Sequence, residues 1–428
     1  MRLIWAIGLV AFSGAAEVSW DTGKDLNDAV SERTDGRLDV IFELRSRFEY
    51  RPGQSFGLEP DLLADFTRFR AGLAYKPSSW IRLTAVAMDA RAPLYGTPAP
   101  SSARDPLDLH EAFVEIRPDQ KTGFGATLGR ATANYGDTRL IGSPQWAYIP
   151  RIYDGGRVYW RNGRYKLEAF LLSPVKLTSA GWNKPVMGDR VEGTYNVVTL
   201  NKHATTDLYY LRHYQNRPGG FNGVGRLVTN SYGSRWFGPI AHGFRYTAEG
   251  VVQTGEIGLV PHRAYAWVVQ AAREVTLLRK PLDVSVEYKY ASGGSRSDRS
   301  NTFDALFPAA HDKLGHADFL GWRNVRNVKA FATWSLTKSL TVMAMYNNSW
   351  LADARDAVYN AQGRAIARAP SGNAGTHIGQ EADLYFMYKK SGWSMGAGYG
   401  HLFAGEFIRN ATPGESPQFA YVFQSYTF

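Results

Sequence analysis

The sequence predicts an all-β protein, a transmembrane antiparallel up-and-down β-barrel of about 18 strands with long extracellular loops and short periplasmic turns. Three observations carry that prediction. The first is strict alternation in Arg37–Arg51 (RLDVIFELRSRFEYR). Its even positions Leu38, Val40, Phe42, Leu44, Phe48 and Tyr50 are apolar, and its odd positions Asp39, Glu43, Arg45, Arg47, Glu49 and Arg51 are charged, with Ser46 and Ile41 the exceptions. Side chains alternate faces along a strand, so one face meets an apolar medium and the other meets water or counter-charge. The second is that the pattern returns, rich in large aromatics, about 18 times. The third is that the links between repeats alternate short and long, as they do when one rim of a barrel carries brief turns and the other extended loops.

Taken in order, Met1–Ala16 reads as a secretory signal, with Arg2 as its basic start, Leu3–Phe12 as its apolar core and Ser13, Gly14, Ala15 and Ala16 as the small residues for cleavage. Glu17–Gly36 is polar and reads as a loose periplasmic lead-in, and residues 37–428 form the barrel domain. Strand candidates in the first half are 37–51, 64–76, 80–91, 108–118, 122–133, 154–161, 164–173, 193–201 and 205–216. They continue at 224–234, 241–254, 264–275, 281–291, 325–336, 339–350, 376–389, 392–403 and 417–428. Short turns stand at KPSS (76), RPDQ (117), RNGR (161), LRKP (278), LTKS (336) and KKSG (389). Long links fall at Ala92–Leu107, Asn134–Tyr153, Pro174–Glu192, Ser292–Asn324 and Leu351–Gly375. The last two contain FDALFPAAH and ADARDAVYNAQGRAIAR, whose spacing is helical, and they are candidates to gate or plug the mouth.

Composition agrees with a membrane barrel. The chain has 24 Tyr, 22 Phe and 12 Trp among only 44% hydrophobic residues, as aromatic girdles around a polar interior require. No stretch beyond the signal approaches the roughly 20 apolar residues of a spanning helix, so any span is made of strands. There is no cysteine, so the exported chain is not held by disulfides. The formal charge of +10, or +9 once Arg2 is removed, points to acidic headgroups or an anionic solute, because export argues against nucleic acid. The expected surroundings are therefore outer-membrane lipid and lipopolysaccharide outside and an anionic solute inside. The chain ends on Phe428, with Tyr426, Val422 and Ala420 in its parity and Phe419, Tyr421 and Phe423 in the other. The last strand must pair with the first, since an open edge in lipid leaves backbone groups unpaired. A terminal Phe after another aromatic resembles the signal read by the barrel assembly machinery.

A Lys or Arg on the lipid face at mid-membrane costs about 2–4 kcal/mol, which assigns the faces. Glu43, Arg45, Arg47 and Glu49 look into the lumen, as do Arg68, Arg70 and Lys76, with Phe69, Leu73 and Tyr75 outside. Asp283, Glu287 and Lys289 face inward while Leu282, Val284, Val286, Tyr288 and Tyr290 face lipid. On 376–389, Glu381, Asp383 and Lys389 go in, and Ala382, Leu384, Phe386 and Tyr388 go out. An anion path is expected at Arg45, Arg47, Arg70, Arg91 and Arg130, whose guanidinium forks match carboxylates. Glu43, Glu49, Asp89 and Glu111 nearby would keep each contact weak enough for conduction. The bland alternative is that these charge ladders only stiffen a water-filled barrel.

Several stretches resemble the alginate-export family of outer-membrane porins: DLHEAFVEI at 108, LGRATANYGDTRLIG at 128, WAYIPRIYDGGRV at 146, YASGGSRSDRSNTFDALFPAAH at 290, GWRNV at 321 and HIGQEADLYFMYKK at 377. The resemblance implies a monomeric barrel of about 18 strands passing a polyanionic polysaccharide through an electropositive constriction. It also implies that Glu111 and Glu115 border that constriction and that Arg130, Glu381 and Asp383 are charged positions on its lumen side. On the penultimate strand, where the family contributes arginines, this chain has Gly396, Ala397, Gly398 and Tyr399.

Catalysis and metal binding have weaker signatures. Gly392–Gly396 spells G-x-S-x-G, but the motif opens a strand and a nucleophile elbow needs a strand-to-helix turn. A barrel-type surface hydrolase would have to pair Ser394 with His401. His311, Asp312 and His316 share a loop, yet their spacing fits no established zinc pattern, so solvated side chains are expected there and no metal or cofactor. The reading is a passive outer-membrane channel for an anionic, alginate-like polysaccharide or oligosaccharide. Uptake of small organic anions through the same pore, or a closed structural barrel, are the alternatives.

Overall fold

The computed structural model describes residues 22–95, 99–117, 121–178, 181–216 and 225–428. The signal expected at 1–16, and residues 17–21 of the lead-in, lie outside them. Along the chain run α1 (Thr22–Arg33), β1 (Leu38–Arg51), β2 (Leu62–Ser78), β3 (Ile81–Arg91), β4 (Asp105–Ile116), β5 (Thr122–Ala131), β6 (Tyr153–Asn162) and β7 (Tyr165–Lys176). There follow β8 (Lys184–Pro185), β9 (Asp189–Asn201), β10 (Ala204–Gln215), β11 (Arg226–Pro239), β12 (Phe244–Gly258), β13 (Val260–Leu277) and β14 (Lys280–Ala291). The last are β15 (Val325–Ser335), β16 (Leu340–Leu351), β17 (Ala357–Tyr359), β18 (Ala365–Arg368), β19 (His377–Lys390), β20 (Trp393–Ala404), α2 (Glu406–Ala411) and β21 (Gln418–Thr427).

Eighteen of these strands close into one antiparallel up-and-down barrel. The two-residue β8 only borders β7, and β17 with β18 makes a separate hairpin. Closure joins the ends of the chain: β21 pairs with β1 from Glu43↔Thr427 to Tyr50↔Ala420. Phe42 and Phe428 exchange backbone bonds at 3.2 and 3.3 Å, and their rings stack at 4.9 Å, so the terminal aromatic seals the seam. Alternation decides the faces. Leu44, Leu73, Val286, Leu384 and Val422 are exposed on the outer surface, while Glu43, Arg45, Arg47, Glu49, Glu287, Lys289, Glu381 and Asp383 are buried on the inner one.

Among the described residues, short turns at one rim and long loops at the other follow the expected parity with one exception. Strands β12 and β13 run past their expected ends at 254 and 264 and meet at the single residue Leu259. The lead-in is also more ordered over residues 22–36 than its polarity suggested. Its α1 lies against β1, where the Val40 N–H donates to Asn27 Oδ1 at 2.8 Å, and it stops at Gly36, whose φ of +70° closes the last turn on Ser31.

The helical spacing read in the last two long links does not produce helices. In ADARDAVYNAQGRAIAR the chain turns back at Asn360, whose Oδ1 accepts from Gln362 and Arg364, and at Gly363, whose φ is +81°, so β17 and β18 pair instead. In FDALFPAAH, Pro308 cannot donate the next helical bond, and Phe307 pairs its backbone with another loop.

Candidate functional site

Two long loops turn inward and meet in the lumen. The 132–152 loop and the 292–324 loop form a parallel bridge at Ile141↔Phe307, with Gly142 N–H donating to Phe307 O at 2.9 Å and Phe307 N–H to Leu140 O at 2.8 Å. Backbone groups that leave water must pair with something, and here each loop pairs with the other. Tyr135, Leu140, Ile141, Phe303, Leu306, Leu320 and Trp322 pack between them as a small apolar core. The β17–β18 hairpin sits above, with Gly321 N–H donating to Tyr359 O at 2.8 Å.

Wall arginines hold the first loop. Arg45 donates to the Gln145 carbonyl at 2.8 Å, Arg47 to Trp146 O at 2.6 Å and Arg68 to Ala147 O at 2.8 Å. Two of them are paired within the wall, where Arg68 meets Glu43 at 2.6 Å and Arg47 meets Glu49 at 2.6 Å. The Trp146 ring lies against the guanidinium of Arg47 (4.2 Å) and that of Arg45 (5.0 Å). Arg47 and Arg68 are only 3% and 4% exposed, so they reach solute only if the loop leaves. The far end of this loop crosses the lumen, where Arg139 donates to Glu287 at 2.8 Å.

The second loop is held by carboxylates as well as cations. Ala317 N–H donates to Glu381 at 3.1 Å and His316 N–H to Asp383 at 3.2 Å. Lys329 reaches the Asp312 carbonyl at 3.0 Å, Arg51 the Ala317 carbonyl at 3.0 Å, and Lys289, itself paired with Glu287 at 2.5 Å, the Lys313 carbonyl. Gly315 lets the loop approach, because a Cβ there would collide with the Glu381 carboxylate. The penultimate strand β20 lacks the arginines of the family pattern, and its glycines make room instead. A Cβ at Gly396 would lie 2.5 Å from the Phe423 ring and one at Gly398 2.5 Å from the Tyr421 ring. The inward parity of β21, Phe419, Tyr421 and Phe423, thus forms an aromatic wall against which the loop packs.

Within this loop the side chains of His311, Asp312 and His316 come together. His316 Nδ1 is 2.7 Å from Asp312 Oδ1, and His311 Nδ1 is 2.9 Å from Asp318 Oδ2. Burial opposes charge on Asp312, but the imidazoles of His311 and His316 outweigh it and hold the carboxyl at about 2. Burial likewise opposes a charged His311, which Asp318 and Asp312 nonetheless hold above the ordinary imidazole value, whereas burial pushes His316 below it.

The other charged positions lie on one side of the barrel, on β1 to β6. Arg70 meets Glu43 at 3.1 Å and donates to Gln145 Oε1 at 3.0 Å. Arg82 faces Glu115 at 3.3 Å, Glu111 bonds Thr132, and Arg130 forks onto Asp154 at 2.7 and 2.9 Å. Asp89 and Arg91, expected in the lumen, pair at 2.6 Å on the outer face instead: they lie opposite Phe69 and Thr67 and share the parity of the exposed Leu83, while Val86, Met88 and Ala90 point inward. Arg130 and Asp154 likewise leave their strands on the parity of the exposed Leu128 and Val158, near the long-loop rim, and not on the lumen side. Arg70, Arg82 and Arg130 remain 14%, 25% and 14% exposed, so water reaches them although each is paired. Ser394 and His401 stand about 23 Å apart along one strand, too far to act together. Sequence reasoning passed over Trp146, Arg139, Asp154 and Arg82. The one available signal was the inward row Phe419, Tyr421 and Phe423, which needs an apolar partner inside a polar lumen.

A family model described as alginate export matches residues 37–422. Among solved structures the chain is similar to Pseudomonas aeruginosa OccK2 (OpdF) in complex with glucuronate, at a TM-score of 0.62 and 10% identity over 91% of this chain and 98% of that one. It is similar also to Pseudomonas aeruginosa OpdK with vanillate (0.60, 12%, 91% and 98%) and to Pseudomonas aeruginosa OccK8 (OprE) (0.60, 11%, 91% and 98%). At such identities the likeness is one of fold. No curated relative matches the chain.

Proposed function

This chain belongs to the alginate export family, and from that premise we propose that its outer-membrane porin barrel passes carboxylate-bearing saccharides, as uronate oligomers or polymers, along the β1–β6 wall. The observation that carries this reading is the pair of water-reachable arginines on the inner face, Arg70 and Arg82, each already paired with one wall carboxylate. A guanidinium presents a planar fork of donors, so a passing carboxylate can exchange with Glu43 or Glu115 without leaving the charge bare. Exchange keeps binding shallow and repeated, which conduction requires. The barrel acts as a transport channel rather than an enzyme.

A second reading, passage of small organic anions, is favoured by the two loops that narrow the lumen. Two of the similar structures are of complexes with glucuronate and with vanillate, which lends that class some support. Single-channel conductance in a planar bilayer separates the two. Anion selectivity, block by polyuronate and relief of block in Arg70→Ala are expected for the first; block by monomeric glucuronate but not by polyuronate would favour the second. A cation-selective current indifferent to both would refute the carboxylate reading.

A further inference from the structure

We propose that His311, Asp312 and His316 form a binding site for a divalent transition metal on the inner face of the 292–324 loop. Nitrogen and oxygen donors from the three side chains all lie within 4.8 Å of one another. Both imidazoles converge on one carboxylate, His316 Nδ1 at 2.7 Å from Asp312 Oδ1 and His311 Nε2 at 3.6 Å from Asp312 Oδ2. In a tetrahedral site with bonds of about 2.0–2.1 Å, donor atoms stand about 3.3–3.4 Å apart, inside the range the cluster spans.

The second observation is independent of the first and concerns the nitrogens that face away. A metal-binding imidazole characteristically gives its other N–H to an acceptor that fixes its tautomer. His311 Nδ1 stands 2.9 Å from Asp318 Oδ2, and His316 Nε2 stands 2.8 Å from the Tyr421 hydroxyl. Rings are fixed too: His316 stacks on Tyr385 at 3.9 Å and His311 on Trp146 at 4.7 Å. Mixed imidazole and carboxylate donors suit zinc, cobalt, nickel or copper better than magnesium or calcium. Three protein ligands leave a fourth position open, and Asp312 is 38% exposed, so that position faces the lumen and takes water or a solute carboxylate. A bound ion would tie the loop more firmly to β19 and β21 and narrow the passage. Metal binding itself stands apart from the choice of cargo.

The test is calorimetric titration of the refolded full chain with zinc chloride, beside cobalt(II) absorption. One equivalent of zinc is expected, with Asp312→Asn and the double variant His311→Gln/His316→Gln losing it. Asp318→Asn, which alters a positioning residue, should weaken binding by about 10- to 100-fold. Cobalt in the unaltered protein should give the intense visible band of a four-coordinate site, a readout that needs no variant to fold. Zinc should lower single-channel conductance and a chelator restore it. No stoichiometric uptake, or uptake undiminished in the double variant, would place any bound ion at exposed histidines such as His203 or His242 and overturn the proposal.

Discussion

The β1–β2 and β19 sides of the barrel grip the two lumen loops by opposite chemistries, although Lys289, Lys329 and Arg51 also reach carbonyls of the second loop. On the β1–β2 side the wall supplies donors and the loop supplies carbonyls, through Arg45, Arg47 and Arg68 onto Gln145, Trp146 and Ala147. On the β19 side the wall supplies acceptors and the loop supplies amides, through Glu381 and Asp383 onto Ala317 and His316. A guanidinium keeps its charge at any physiological pH and offers five donors, so one side chain gathers two carbonyls and a carboxylate at once. A carboxylate needs its own charge to be tolerated among neighbours, and Glu381 and Asp383 sit side by side on one strand face. The first loop is therefore the firmer of the two, and the second the one poised to respond to its surroundings.

The largest effect is expected where that firmness is concentrated. Arg68→Ala removes the 2.6 Å pair with Glu43 and the bonds to Ala147 and Tyr148, leaving Glu43 with Arg70 and the carbonyls without their donor. Breaking a buried pair from one side costs about 3–5 kcal/mol. Denaturant unfolding should shift by up to that amount, since Arg70 keeps Glu43 partly paired, and single-channel conductance should rise as residues 143–148 loosen. Unchanged conductance would mean that the arginines do not hold the loop.

Removing an acceptor from the other side should cost less. Asp383→Ala strands the His316 N–H, worth about 1–3 kcal/mol, but also relieves Glu381 of a like charge. Asp383→Asn keeps an oxygen acceptor and should be close to neutral in the same unfolding measurement. A loss from Asp383→Ala as large as that from Arg68→Ala would erase the asymmetry between the loops.

Acid separates the two kinds of anchor more finely. Asp356, buried beneath the β17–β18 hairpin, accepts from Gly294 N–H at 2.9 Å, Ala357 N–H at 2.7 Å and Arg368 at 2.9 Å. Burial works against its charge, and the Thr302 hydroxyl and Arg368 outweigh that, so its carboxyl is held below the ordinary 3.8. A depressed carboxyl contributes stability that is present above its unfolded value and is lost as the pH falls through its folded one. The hairpin should therefore loosen only in acid below about pH 4, by about 1–3 kcal/mol, followed by proteolysis at Gly363, and Asp356→Asn should lack the step. The arginine-held loop should show no such step.

What could be read from the sequence divides along the same line. The strands, their parity and the inward charges were legible because a two-residue period and the cost of a charge in lipid act on each strand alone. Even β20 was legible as a strand, and its departure from arginine to glycine was visible. Its consequence was not, since Gly396 and Gly398 gain meaning only from rings on the neighbouring strand. The loops escaped for a related reason. His311, Asp312 and His316 fit no ligand spacing along the chain, and their convergence depends on a fold set by carbonyls and amides, which every residue carries alike. The helical spacing of ADARDAVYNAQGRAIAR was real, but Gly363 and the Asn360 side chain turned it into a hairpin.

The smallest structural effect, and the sharpest for transport, belongs to the open wall between the two anchors. Arg82 pairs with Glu115 at 3.3 Å, with side chains 25% and 19% exposed, a geometry in which water screens the attraction. Losing such a pair is worth about 0–1 kcal/mol, so Arg82→Ala should leave unfolding nearly unchanged. If the passage runs along this wall, the same substitution should still lower anion selectivity and weaken polyuronate block, because Glu115 then faces the solute without its partner. Arg82→Lys should recover selectivity but not the block, since a lysine restores the charge without the fork. A variant that left both selectivity and block intact would move the conducting path off the β1–β6 wall, and the loops would then be guarding some other route through the barrel.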